Sequence, residues 1–100
     1  MSDLTPTEGA RFLFERDRDN AEGASYRVAI YTPTETFAGS AQLGFDGSVA
    51  LEVLGAPAEL VASAEMFGKL TARAAQKQLD DGMPPWPARI LRWRGPGRGK

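Results

Sequence analysis

The sequence predicts an α+β fold, on two alternating stretches and one change of period. Apolar residues alternate through 36–45 and again through 48–54, with Asp46-Gly47 between them. From Pro57 to about Asp81 the apolar period lengthens from two to 3.6. The predicted architecture is an antiparallel four-stranded β-meander covered on one face by a single long α-helix. Residues 88–94 suit a fifth edge strand after the helix, giving the order β-β-β-β-α-β. A helix laid on the apolar face supplies the second layer that such a sheet needs.

Residues 1–9 are polar, contain Pro6 and Gly9, and show no period, so they read as an N-terminal arm. The single domain is then 10–94, and 95–100 form a basic tail. Arg11–Arg16 alternates as a short first strand, with Phe12 and Phe14 on one face. Residues 17–25 are polar and read as a loop. In the second strand, Tyr26–Tyr31, Tyr26, Val28 and Ile30 share a face, and Arg27 and Tyr31 point the other way. Pro33 marks a turn, because it fixes its own φ and has no N–H for a ladder.

In the third strand Phe37, Ala41, Leu43 and Phe45 fall on one side, with Thr36, Ser40 and Gln42 on the other. Val49, Leu51 and Val53 repeat the pattern in the fourth. Asp46-Gly47 reads as a two-residue type I′ turn, whose positive φ values match the twist of the strands. Gly55-Ala-Pro57 ends the strand, and Pro57 suits a helix's first turn. At 100° per residue Leu60, Ala64, Phe67, Thr71, Ala74, Ala75 and Gln78 cluster on one face, with Val61, Gly68 and Leu79 at its margins. Phe67 is expected to be buried against the sheet. Gly82 is the expected stop. Met83-Pro84-Pro85-Trp86-Pro87 is a stiff connector. In the strand that follows, Leu91 and Trp93 would face one way and Arg92 and Arg94 the other.

Composition narrows the function classes. Apolar residues make up 42% and charged residues 25% of the chain, which fits a globular domain rather than a disordered one. No apolar run approaches the roughly 20 residues that span a bilayer. Ser-Asp-Leu-Thr-Pro after Met1 resembles no signal peptide, and a cytoplasmic location is expected. The abundance of Ala and of Arg over Lys suggests a GC-rich coding sequence and hence a bacterial source. The chain has no His and no Cys. It therefore lacks the side chain that ordinarily titrates near neutrality, the Ser-His-Asp and Cys-His arrangements, and the common zinc ligands. No catalytic residue, cofactor or metal is expected. Glu15, Asp17, Asp19 and Glu22 are interleaved with Arg16 and Arg18 and lack Ca²⁺-loop spacing.

The charges are sorted along the chain. Residues 1–81 carry thirteen acids and seven bases, whereas 82–100 carry Arg89, Arg92, Arg94, Arg98 and Lys100 and no acid. Clustered charge steers association. Arg89, Arg92, Trp93, Arg94, Arg98 and Lys100 combine guanidinium groups with an aromatic plane, which matches phosphates and stackable bases. Gly95-Pro-Gly-Arg-Gly-Lys100 lacks the strand–helix setting of a phosphate loop. The Pro84–Pro87 stretch contains P-x-x-P, which reads first as a rigid connector with Trp86 packed on the helix end. Met66 and Leu70, one turn apart and off the main stripe, form a candidate interaction patch.

The sequence thus points to a small, non-catalytic domain that binds a macromolecule. A protein partner or self-association ranks first, nucleic acid through 89–100 second, and a cofactor- or carboxylate-dependent enzyme third. No membrane partner is expected.

Overall fold

The computed structural model describes residues 9–94. Five strands, β1 (Ala10–Asp19), β2 (Gly23–Tyr31), β3 (Thr36–Gly44), β4 (Val49–Val53) and β5 (Arg89–Arg94), surround one helix in sequence, α1 (Ala58–Asp80). They form a single antiparallel sheet in the order β4-β3-β2-β1-β5. The first four strands are the predicted meander. The helix then carries the chain across the sheet, so that β5 pairs outside β1, at the edge opposite β4.

β1 and β2 are longer than their apolar patterns indicate. Pairing continues through Arg18↔Ser25 and Asp19↔Ala24, past an irregularity at Asp17, so most of the stretch expected to be a loop is strand. The exposed end of β1 needs no apolar residue once the ladder supplies its backbone partners, and at the β2 end it is the small Gly23 and Ala24 that are buried. The true connection is Asn20–Glu22, where the Asn20 side-chain oxygen accepts from the N–H groups of Glu22 (2.8 Å) and Gly23 (3.1 Å).

The β3–β4 hairpin is present, but its turn differs from the predicted one. Gly44 N–H donates to Ser48 O at 3.0 Å, and Gly47 N–H donates to Gly44 O at 2.9 Å. The loop is therefore Phe45-Asp46-Gly47, with Gly47 at φ +88° and no non-glycine residue at positive φ among those described. A type I turn closed by one left-handed residue spares Asp46 the unfavourable φ that type I′ would impose. Ser48 instead holds the Asp46 carboxylate, its hydroxyl first and then its N–H (2.9 Å), and lowers the carboxyl pKa.

The core lies between the helix and the face made by Phe12, Phe14, Tyr26, Val28, Ile30, Ala41 and Leu43. The helix turns slightly away from the predicted stripe. Its buried residues are Ser63, Ala64, Gly68, Ala72 and Ala75, whereas Ala74 is exposed. Small side chains set the closest approach to the sheet. A Cβ on Gly68 would lie 3.2–3.3 Å from Leu43 and Val49 side-chain atoms. Phe67 is consequently half-buried rather than enclosed, with its ring edge-on to Phe12 at 5.1 Å.

The connector closes one end of the core. Trp86 is 1% exposed and packs against Phe45 with ring centroids 5.0 Å apart. The Arg16 guanidinium donates to Trp86 O (2.7 Å), the Tyr26 hydroxyl to Pro87 O (2.7 Å), and Arg16 N–H to Ala88 O (2.9 Å). The Gln78 amide faces the carbonyls of Pro84 and Pro85, acceptors that only its nitrogen can satisfy. A proline-rich connector has few donors of its own, so it is held through its carbonyls.

Candidate functional site: the open face of the sheet

The helix covers one face of the sheet, and no element among the described residues packs over the other. Register assigns the side chains of this open face row by row. Trp93, Arg11, Tyr31 and Thr36 form one row; Leu91, Leu13, Ala29 and Ala38 form the next. Arg89, Glu15, Arg27, Ser40 and Glu52 form the third. Arg18, Ser25, Gln42 and Ala50 follow beyond the irregularity in β1, with the Ser25 hydroxyl donating to the Gln42 side-chain oxygen at 2.8 Å.

The middle row is apolar and nearly flat. Leu13 is only 6% exposed although no helix lies over it, and Leu91 is 41% exposed. A shallow depression of about 320 Å³ runs over this row, bounded by Glu15, Arg27 and Tyr31. In the first row Trp93 is half exposed, at 51%, and Arg11 stands between it and Tyr31. Their backbones are two strand spacings apart, about 10 Å.

Charge on the molecule is sorted by face. The open face carries Arg11, Arg18, Arg27 and Arg89 against Glu15 and Glu52. The other described residues carry nine acids and six bases. An acidic body therefore presents one net-positive surface, and that surface also holds an exposed indole.

The basic segment singled out in the sequence is split between the two faces. Arg89 and Trp93 lie on the open face. Arg92 and Arg94 share the opposite face, as the alternation predicts, level with Phe12 and Ala10. The Arg94 guanidinium donates to the Ser63 hydroxyl on the helix, and Arg92 borders a groove with Leu70 and Pro85. Arg98 and Lys100 lie outside the described residues, as do the tail 95–100 and most of the arm. Met66 and Leu70 are exposed on the outer side of the helix, at 51% and 54%.

Three open-face arginines, Arg11, Arg18 and Arg27, come from the stretch that the linear charge balance marks as acidic. For Arg11 and Arg27 the signal was the phase of the alternation, whereas Arg18, in phase with Phe12 and Phe14, reaches the open face only through the register shift between Arg16 and Arg18. Arg11 is out of phase with Phe12 and Phe14, and Arg27 and Tyr31 are out of phase with Val28 and Ile30.

Among the described residues, no group of three or more acidic side chains is placed to hold a metal ion, and no helix is long and apolar enough to cross a membrane. No family model, curated protein or solved structure matches this chain.

Proposed function

We propose that this chain is a non-catalytic domain that binds single-stranded nucleic acid on the open face of its sheet. One observation carries the reading: four arginines and two aromatic side chains share the uncovered face of an otherwise acidic domain. Single strands offer the matching chemistry. Their bases stack on aromatic rings irrespective of sequence, and their phosphates pair with guanidinium groups along a sheet surface. Trp93 and Tyr31 supply the planes, Arg11 the cation between them, and Arg27, Arg89 and Arg18 the charges that follow the strand. The apolar row through Leu13 accommodates the sugar and base edges that leave water. A cytoplasmic location fits this reading, because the ligand is intracellular.

The linear sequence ranked a protein partner first. Sorting of charge by face favours the nucleic acid, because it gathers cations that the sequence scatters. The two tryptophans provide a test. Trp86 is buried and Trp93 half exposed, so a stacking ligand should quench Trp93 alone. Titration with a single-stranded homo-oligonucleotide at low salt should lower tryptophan fluorescence to a plateau, and Trp93→Phe should abolish most of the change. Unchanged fluorescence together with unchanged anisotropy of a labelled oligonucleotide would eliminate the reading.

A further inference from the structure

The outer side of the helix carries a second surface, on the opposite side of the molecule from the open face. We propose that it pairs two copies of this chain, helix against helix, antiparallel about a two-fold axis level with position 68. Glu59, Ala62, Met66, Leu70, Arg73 and Lys77 recur at intervals of three and four residues and form one stripe along the helix, and all six are exposed. At its centre Met66 and Leu70 are about half exposed, and a shallow groove of about 230 Å³ is bounded there by these two residues with Ala62, Glu65, Lys69 and Arg73.

The stripe is complementary to itself in one direction only. Its N-terminal end carries Glu59 and its middle is apolar; its C-terminal half carries Arg73 and Lys77, followed by Asp80, which accepts from Gln76, and Asp81. Positions 59 and 77 are equidistant from 68, each about 13 Å along the helix. An antiparallel copy therefore sets Glu59 opposite the partner's Lys77, and Met66 opposite the partner's Leu70. Glu65 comes within one turn of the partner's Lys69 and Arg73. A parallel copy would set Glu59 against Glu59 and Lys77 against Lys77. Antiparallel helices also align their dipoles favourably. Lys77 holds Asp81 of its own helix at 3.1 Å, and its ammonium has further donors for a second carboxylate. Ala62 lets the two backbones approach.

One helix seam buries less than the roughly 1,200 Å² of a small stable interface, so the dimer is weak, with a dissociation constant in the micromolar range or above. It leaves both open faces free, and it stands or falls independently of the nucleic-acid reading.

Sedimentation equilibrium of the full chain over a wide concentration range tests the pairing, with circular dichroism to check folding. The wild type should dimerise reversibly, and Met66→Lys with Leu70→Lys should be monomeric with an unchanged spectrum. Glu59→Lys should weaken dimerisation about tenfold, and adding Lys77→Glu should restore it. The swap variants decide the question even where the lysine pair perturbs folding. A monomeric wild type at every concentration, or a dimer indifferent to the charge reversals, would overturn the proposal. A dimer lost on Leu91→Lys instead would place the interface on the open sheet face and overturn it equally.

Discussion

Gly47 and Tyr26 occupy positions where one atom decides the conformation or the protonation state. At φ +88° Gly47 closes the β3–β4 loop, and a Cβ there would meet no neighbour. Backbone strain alone is then at stake. Gly47→Ala should cost about 1–2 kcal/mol, read as a lower urea midpoint with an unchanged slope. Tyr26 is buried, and its hydroxyl donates to Pro87 O. Burial is the main cause that raises its pKa from 10.0 to about 12; Arg16 pulls it down, and Asp19 pushes it further up. The unfolded chain releases this proton first as pH rises. The stability that Tyr26 contributes is thus complete below pH 10 and lost as pH climbs towards about 12. Denaturation midpoints across that window should fall less steeply in Tyr26→Phe than in the wild type.

At the scale of elements, the connector is what fixes β5. Trp86 fills the end of the core, and three hydrogen bonds from Arg16 and Tyr26 reach Trp86, Pro87 and Ala88. Trp86→Ala should cost about 3–5 kcal/mol, as core aromatic truncations do, and amide exchange should accelerate in β5 before β2 or β3. Uniform acceleration would mean that β5 does not depend on the connector. The elements were legible where local chemistry specifies them. Two alternating runs around Asp46-Gly47 and a long 3.6-residue period leave little choice of strand or helix. The ends of β1 and β2 were not legible, because Arg18↔Ser25 is sustained by a ladder partner and not by an apolar residue. The rotation of the helix was hidden for a related reason. Ser63, Gly68 and Ala72 are favoured at the contact for being small, whereas a hydrophobic stripe weights large side chains such as Phe67.

At the scale of the whole molecule, the open face emerges only when strands distant in the chain are brought into register. Arg27 lies twelve residues from Glu15 and far from Arg89, yet the three stand in one row. A linear tally of charge therefore credits the C-terminal segment with a basic surface that β1 and β2 largely build. It also groups Arg92 and Arg94 with Arg89, although strand alternation sends them to the helix side. Trp93 illustrates the same limit. Its sequence neighbourhood suits a core strand or a surface strand equally, and the edge position of β5 beside β1 is what leaves it half exposed.

The most direct measurement of the central claim is the salt dependence of binding to a labelled single-stranded oligonucleotide, compared between the two faces. Each phosphate neutralised on a single strand contributes about −0.7 to the slope of log K against log salt. The wild-type slope should approach −2 to −3 if three or four open-face arginines take part. Arg11→Gln, Arg27→Gln and Arg89→Gln together should flatten it by about two units and weaken binding at low salt. Arg92→Gln with Arg94→Gln, on the opposite face, should leave the slope within about half a unit of wild type. The opposite ranking, with the Arg92 and Arg94 pair carrying the slope and the open-face triple carrying none, would contradict the account.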